Sequence, residues 1–197
     1  MKAKKSAMVE QAPPGTHVAR CIKIIDLGTQ ESVYQGKTTH RRQILLGWQL
    51  PLELNAEGKP HTIGGFRTLS LNDGATLLRD LVAWRRRAFT KEELEGFEMR
   101  KVLDAPCQLI ITSNKDGDRS VVTGVAGLAY GQTCPPRVGD LLYFSLDREE
   151  YDPAVFDSLN DGLKKIIEKS PEWQELQREQ DAGPEIDEMT EPPDGHG

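Results

Sequence analysis

The chain has 197 residues, 37% of them hydrophobic, with 25 Lys+Arg against 31 Asp+Glu and a formal net charge of −6. That is room for one globular domain of roughly 130 to 150 residues plus polar ends. The longest apolar runs are a few residues, too short for a membrane-spanning helix, and the lysine-bearing N-terminus lacks the apolar stretch of a secretory signal, so a cytoplasmic protein with no membrane partner is expected.

The charge is divided rather than mixed. Residues 1–145 carry 20 basic against 15 acidic side chains, net +5, and residues 146–197 carry 5 against 16, net −11. A basic body with an acidic tail fits a protein that attracts a polyanion and carries a competing polyanion of its own. Cys21, Cys107 and Cys134 are odd in number and widely spaced, without a C-x-x-C pair, which argues against a disulfide framework and a zinc knuckle. Cys21 and Cys107 read instead as small buried hydrophobes. His17, His40, His61 and His196 fall at no ligand spacing, so neither metal nor cofactor is expected.

Residues 1–15 end in Ala12-Pro13-Pro14-Gly15 and read as a flexible basic arm. A first strand is expected over 17–27, where Val18, Ile22, Ile24 and Ile25 are β-branched and Gly28 follows. The polar stretch 29–39, with Tyr34, Gly36 and Lys37, reads as a loop or strand ends. A second strand over 40–50 has Ile44, Leu46, Trp48 and Leu50 on one face and Arg41, Gln43, Gly47 and Gln49 on the other. A third is expected over 62–71, bent or bulged at Gly64-Gly65.

The period then becomes helical through Leu77, Leu78, Leu81 and Val82, with Asn72 or Asp73 as N-cap. A short helix begins at Thr90, whose T-x-x-E pattern with Glu93 is a capping box. Extended structure returns over 107–112, turns at Lys115-Asp116-Gly117-Asp118, and comes back over 120–130. One further helix is expected over 153–176. Beyond Arg178 the chain carries seven acids and no base, and a disordered tail is expected over 179–197.

This order, β-β-β-α-β-β with a C-terminal helix, makes the chain mainly β with helices. It matches a five-stranded OB-like Greek-key barrel, which binds single strands on its second and third strands and the adjoining loops. The domain would span 16–145, with a helical extension over 146–178. The runs His17-Val18-Ala19-Arg20-Cys21 with Ile25-Asp26-Leu27-Gly28-Thr29-Gln30, then Trp84-Arg85, Phe89-Thr90 to Gly96-Phe97, and Ala105-Pro106-Cys107 resemble a family of small bacteriophage proteins regarded as single-stranded DNA-binding proteins of the OB type. The resemblance covers about residues 15–176 and implies DNA replication or recombination as the setting. It also implies replication or recombination proteins as partners of the acidic tail, although this tail lacks the terminal aromatic residue common in such proteins. Self-association stays open.

Single strands need cations for phosphates and flat side chains for bases. The candidates are Phe66 and Tyr34 as stacking platforms and Trp48, whose parity also fits the core. The cations are Lys37, Arg41 and Arg42 around the start of strand two, Arg67 on strand three, and the Arg85-Arg86-Arg87 run at a helix end. The acids at 147–152 lack the glycine-centred spacing of a calcium loop, and no nucleotide, hydrolase or metalloprotease motif occurs. Catalysis therefore has no candidate constellation. Two rivals stand beside single-strand binding: a nuclease or enzyme subunit using carboxylates such as Asp26 and Asp80 for magnesium, and an interaction module docking a protein through the helix at 153–176.

Overall fold

The computed structural model describes residues 10–182. Six strands form one sheet: β1 (Gly15–Tyr34), β2 (Lys37–Leu54), β3 (Pro60–Thr68), β4 (Pro106–Ser113), β5 (Ser120–Ala126) and β6 (Leu142–Phe144). The hydrogen-bonded order is β3-β2-β1-β4-β5, antiparallel throughout, with β6 added parallel to β1. The ladder does not close into the five-stranded barrel expected, because β3 and β5 come alongside each other without a hydrogen-bonded register.

β1 and β2 make one long hairpin, so of the two readings of 29–39, a loop or strand ends, the structure shows strand ends around a tight turn. Gln35 and Gly36 turn the chain in two residues with φ of 48° and 76°, the pair of left-handed conformations a tight hairpin needs. The stretch is polar because the ribbon beyond Gln30 leaves the core, and residues 31–33 and 35–38 are exposed. No register shift occurs at Gly64-Gly65, so the expected bulge is absent and β3 alternates regularly.

Bulges do occur in β1, between Cys21 and Lys23 and between Asp26 and Gly28. An extra residue reverses which face the following side chains occupy. Ala19, Cys21 and Ile24 accordingly join one core with Ile44, Leu46, Trp48 and Leu50, while Ile25 and Leu27 join a second. The first core is covered by α1 (Thr76–Arg85). Ala75, not Asn72 or Asp73, is its N-cap, with no side-chain hydrogen bond. α2 (Lys91–Glu95) has the expected capping box, Thr90 with Glu93, and a 3₁₀ turn follows over Met99–Val102.

The second core lies between the outer face of β1 and the C-terminal helices. Here the single helix expected over 153–176 is broken into α3 (Pro153–Ser158), α4 (Asp161–Ile167) and α5 (Pro171–Ala182). Asn160 caps α4 through its side chain, and Ser170-Pro171 restarts the chain as α5, so the apolar period survives while the axis changes direction. Phe156 stacks on Trp173 at 4.0 Å between centroids and also meets Phe144 of β6.

The extension is tied to the sheet at the second bulge. Asp26 Oδ1 accepts from Gly28 N at 3.0 Å, Oδ2 accepts from Leu146 N at 3.2 Å, and Arg42 pairs with the same carboxylate. Glu172 accepts from Thr29 N at 2.8 Å and from Thr29 Oγ1 at 2.6 Å. Gly28 has φ +68°, and a Cβ there would lie 2.4 Å from the Ser170 side chain, so only glycine fits.

The ends differ from expectation as well. Glu10 Oε2 accepts from Ala56 N at 2.8 Å and Ala12 is 4% exposed, so the part of the N-terminal arm from residue 10 onward is packed. α5 runs past 178 to Ala182, and its Glu179 pairs with Arg148. The rest of the arm, 1–9, and of the acidic tail, 183–197, lies outside the described residues. No helix among the described residues is long and apolar enough to cross a membrane.

Candidate nucleic-acid interface

The outer face of β3 is one part of the sheet where large apolar and glycine positions stay exposed. Phe66 stands on it with 56% of its surface exposed, opposite Leu45 of β2. An aromatic ring is costly to leave in water, since burying one is worth about 1.5 to 3 kcal/mol. Arg41 extends from the same face of β2, exposed and with no ion-pair partner among the described residues. Phe66, Arg41 and Arg42 meet at a groove of about 740 Å³ between the end of β3 and the 72–76 segment leading into α1. Thr68, Ser70, Asn72 and a single carboxylate, Asp73, give it a polar wall. Thus four candidates, Arg41, Arg42, Phe66 and Arg67, are brought to one place.

Two of those four have other duties. Arg67 is 9% exposed and donates to Asp80 Oδ2 at 2.7 Å, an ion pair under β3 that holds α1. Arg42 bridges Asp26 and Asp147, the latter at 2.7 Å. Its hydrogen bond to Asp26 is the chief reason the guanidinium is held protonated beyond its ordinary range, against the opposing effect of burial. Both are structural cations whose charge is spent internally. Trp48 is completely buried in the first core and is no stacking platform; its parity with Ile44 and Leu46 places it there.

The remaining candidates lie elsewhere. Lys37 follows the hairpin turn, exposed and opposite Tyr34, with no ion-pair partner among the described residues. The arginine run sits at the far end of α1, where Arg85 lies over Phe89 at 4.0 Å and, like Arg87, binds Glu93. Glu93 is drawn down to about 2, first by the Thr90 N–H and then by the two arginines. Arg86 is exposed in a left-handed C-cap conformation. α1 spans about 15 Å, so this patch and the Phe66 groove are separate.

A second groove of about 480 Å³ begins at Arg42 and runs toward α2, but Asp26, Glu95, Glu98, Asp147 and Glu150 line it. A phosphate chain would be repelled there. A third, of about 410 Å³, continues along the outer face of β2 and β3 to α4. Its floor is the cross-strand pair Gly47 and Gly64 with the Lys23 and Leu45 side chains lying over them, and Asn160 also lines it. These residues escaped sequence reasoning. The available signal was the two glycines at outward positions in adjacent strands, which mark close backbone approach.

Asp26 and Asp80, weighed as magnesium ligands, are each engaged by a guanidinium. No group of three or more His, Cys, Asp or Glu side chains placed to hold a metal occurs among the described residues. Burial pushes the Cys21 thiol up to about 12 and Cys107 higher still, which leaves neither a nucleophile near neutral pH. No family model matches the chain, and no curated protein matches its sequence.

Proposed function

We propose that this protein is a non-catalytic, largely sequence-independent binder of single-stranded DNA, serving phage DNA replication or recombination. The observation that carries the reading is the half-exposed Phe66 beside Arg41, which has no ion-pair partner among the described residues, at the mouth of the β3 groove. A base stacked on that ring gains ~1 to 3 kcal/mol whatever its identity, and the arginine supplies a phosphate contact. The strand order supports an OB-type assignment: β3-β2-β1-β4-β5 with a helix between β3 and β4 is the OB order, lacking only the ladder between β3 and β5. The phage setting rests on the sequence runs around Cys21, Trp84 and Cys107.

The test is a fluorescence-anisotropy titration of the full chain with single-stranded and duplex oligonucleotides across salt. Tighter single-strand binding, with log affinity falling linearly in log salt, is expected. Equal or tighter binding to duplex overturns the proposal, and so does failure to bind any oligonucleotide at low salt.

A further inference from the structure

We infer that the groove between β3 and α4 is a second base slot, adjacent to Phe66 and walled by the C-terminal extension; this rests on the single-strand reading above. Along β3 the outward positions are Thr62, Gly64, Phe66 and Thr68, and the first three are exposed. Gly64 lies two residues from Phe66 on the same face, about 7 Å away. That is about twice the 3.4 Å rise of a stacked strand, and so suits successive bases pulled out of their stack.

The floor beside Phe66 is low and apolar. Gly47 pairs with Gly64, and the space a Cβ would take at each is held by a neighbour: Lys23 Cβ lies 2.8 Å from that of Gly47, and Leu45 Cδ1 lies 3.1 Å from that of Gly64. The Lys23 stem and the Leu45 side chain therefore lie over the two glycines and give an apolar surface on which a ring can rest. Leu45 and Ile166 bound it with apolar surface, and Asn160 and Thr62 offer polar atoms at the edge. Among the described residues of the lining, Lys23 is the charged side chain and no carboxylate occurs. The acidic groove at α2 contrasts with this. A polyanion with flat apolar substituents is the ligand that this combination of cation, apolar floor and apolar wall suits.

The slot also defines a limit. α4 covers the adjacent outer face of β1, so the strand is held to the β3 side.

The experiment uses the full chain and thymidine oligonucleotides at low salt, with Phe66→Ala, Thr62→Glu and Thr112→Glu. Thr62 and Thr112 are both exposed on strands, and the two glutamates change net charge equally. Thr62→Glu is expected to weaken binding about tenfold, the scale of one lost base contact, and Thr112→Glu less than about twofold. Oligonucleotides carrying 5-iododeoxyuridine should photocrosslink the wild type within 62–66 and on the α4 peptide. That measurement decides the matter should Thr62→Glu fail to fold. If Phe66→Ala weakens binding while the two glutamate variants are equal and crosslinks stop at Phe66, the slot is wrong and the single-strand reading stands. If the wild type binds no oligonucleotide, both fall.

Discussion

Arg41 and Arg42 are neighbours in sequence with opposite roles, and exchanging each for alanine separates them. Arg42→Ala leaves the Asp26 carboxylate 8% exposed with its ion-pair partner gone. Breaking a buried pair from one side costs about 3 to 5 kcal/mol. Two features reduce that figure: the Arg42 side chain is itself 30% exposed, and the N–H groups of Gly28 and Leu146 still donate to Asp26. About 2 to 3 kcal/mol remains, or a fall in Tm of roughly 5 to 10 °C for a chain of this size. Arg41→Ala removes an exposed side chain with no ion-pair partner among the described residues and should leave Tm within about 1 to 2 °C. In binding, Arg41→Ala should lower affinity uniformly across sequences and flatten the salt dependence by roughly 0.7, one phosphate released. Differential scanning calorimetry and anisotropy across salt read both effects. An unchanged Tm for Arg42→Ala refutes the structural account of that residue, and an unchanged slope for Arg41→Ala removes it from the interface.

Glu172 accepts from both donors of Thr29, and although burial alone would raise its pKa, those hydrogen bonds hold it below the ordinary 4.5. A depressed folded-state pKa contributes stability that is full above the unfolded value and is lost as pH falls through the folded one. Glu172→Gln should therefore destabilise near neutrality, with the gap to wild type closing below about 4.5 in acid melts; a gap constant with pH would contradict this. Gly28→Ala, with φ +68° and Ser170 in the way, should cost about 2 to 4 kcal/mol in urea unfolding, and a loss under about 1 would mean that the bulge relaxes. Ending the chain after Ala182 removes five acids and shifts the net charge from −6 to −1 while sparing α5 and the Arg148–Glu179 pair. Single-strand affinity should then rise, most at low salt, with Tm unchanged; equal affinities at low salt would show that residues 183–197 do not compete for the interface.

The strands of the first core were legible because their burial is one-sided: Ile44, Leu46, Trp48 and Leu50 alternate as a half-buried strand must. The Thr90 cap was legible because it is local. What escaped was set by distant partners. β6 is three residues long and exists because β1 offers it an edge about 120 residues earlier in the chain. The parity change in β1 depends on bulges that no single residue announces. For the site, Phe66 on an outward position was readable, whereas the fates of Arg42 and Arg67 were not, because Asp26 and Asp80 reach them only through the fold. Trp48 illustrates the opposite weighting: its parity was the better guide, and its chemistry was not.

The attachment of the C-terminal helices to β1 also bears on how the chain is made. Ile25, Leu27 and Leu45 form an apolar surface as soon as the first hairpin forms, but the residues that cover it extend to Leu176. At a ribosomal rate of about 5 to 20 residues per second, roughly 120 more residues take about 6 to 24 s to follow β2. During that interval the nascent hairpin is a sticky ribbon with its final cover still unsynthesised, and a chaperone or a neighbouring nascent chain is free to occupy it. Synthesis stalled before residue 142 would leave that surface permanently bare, so truncated products should be insoluble even though most of the first core is complete.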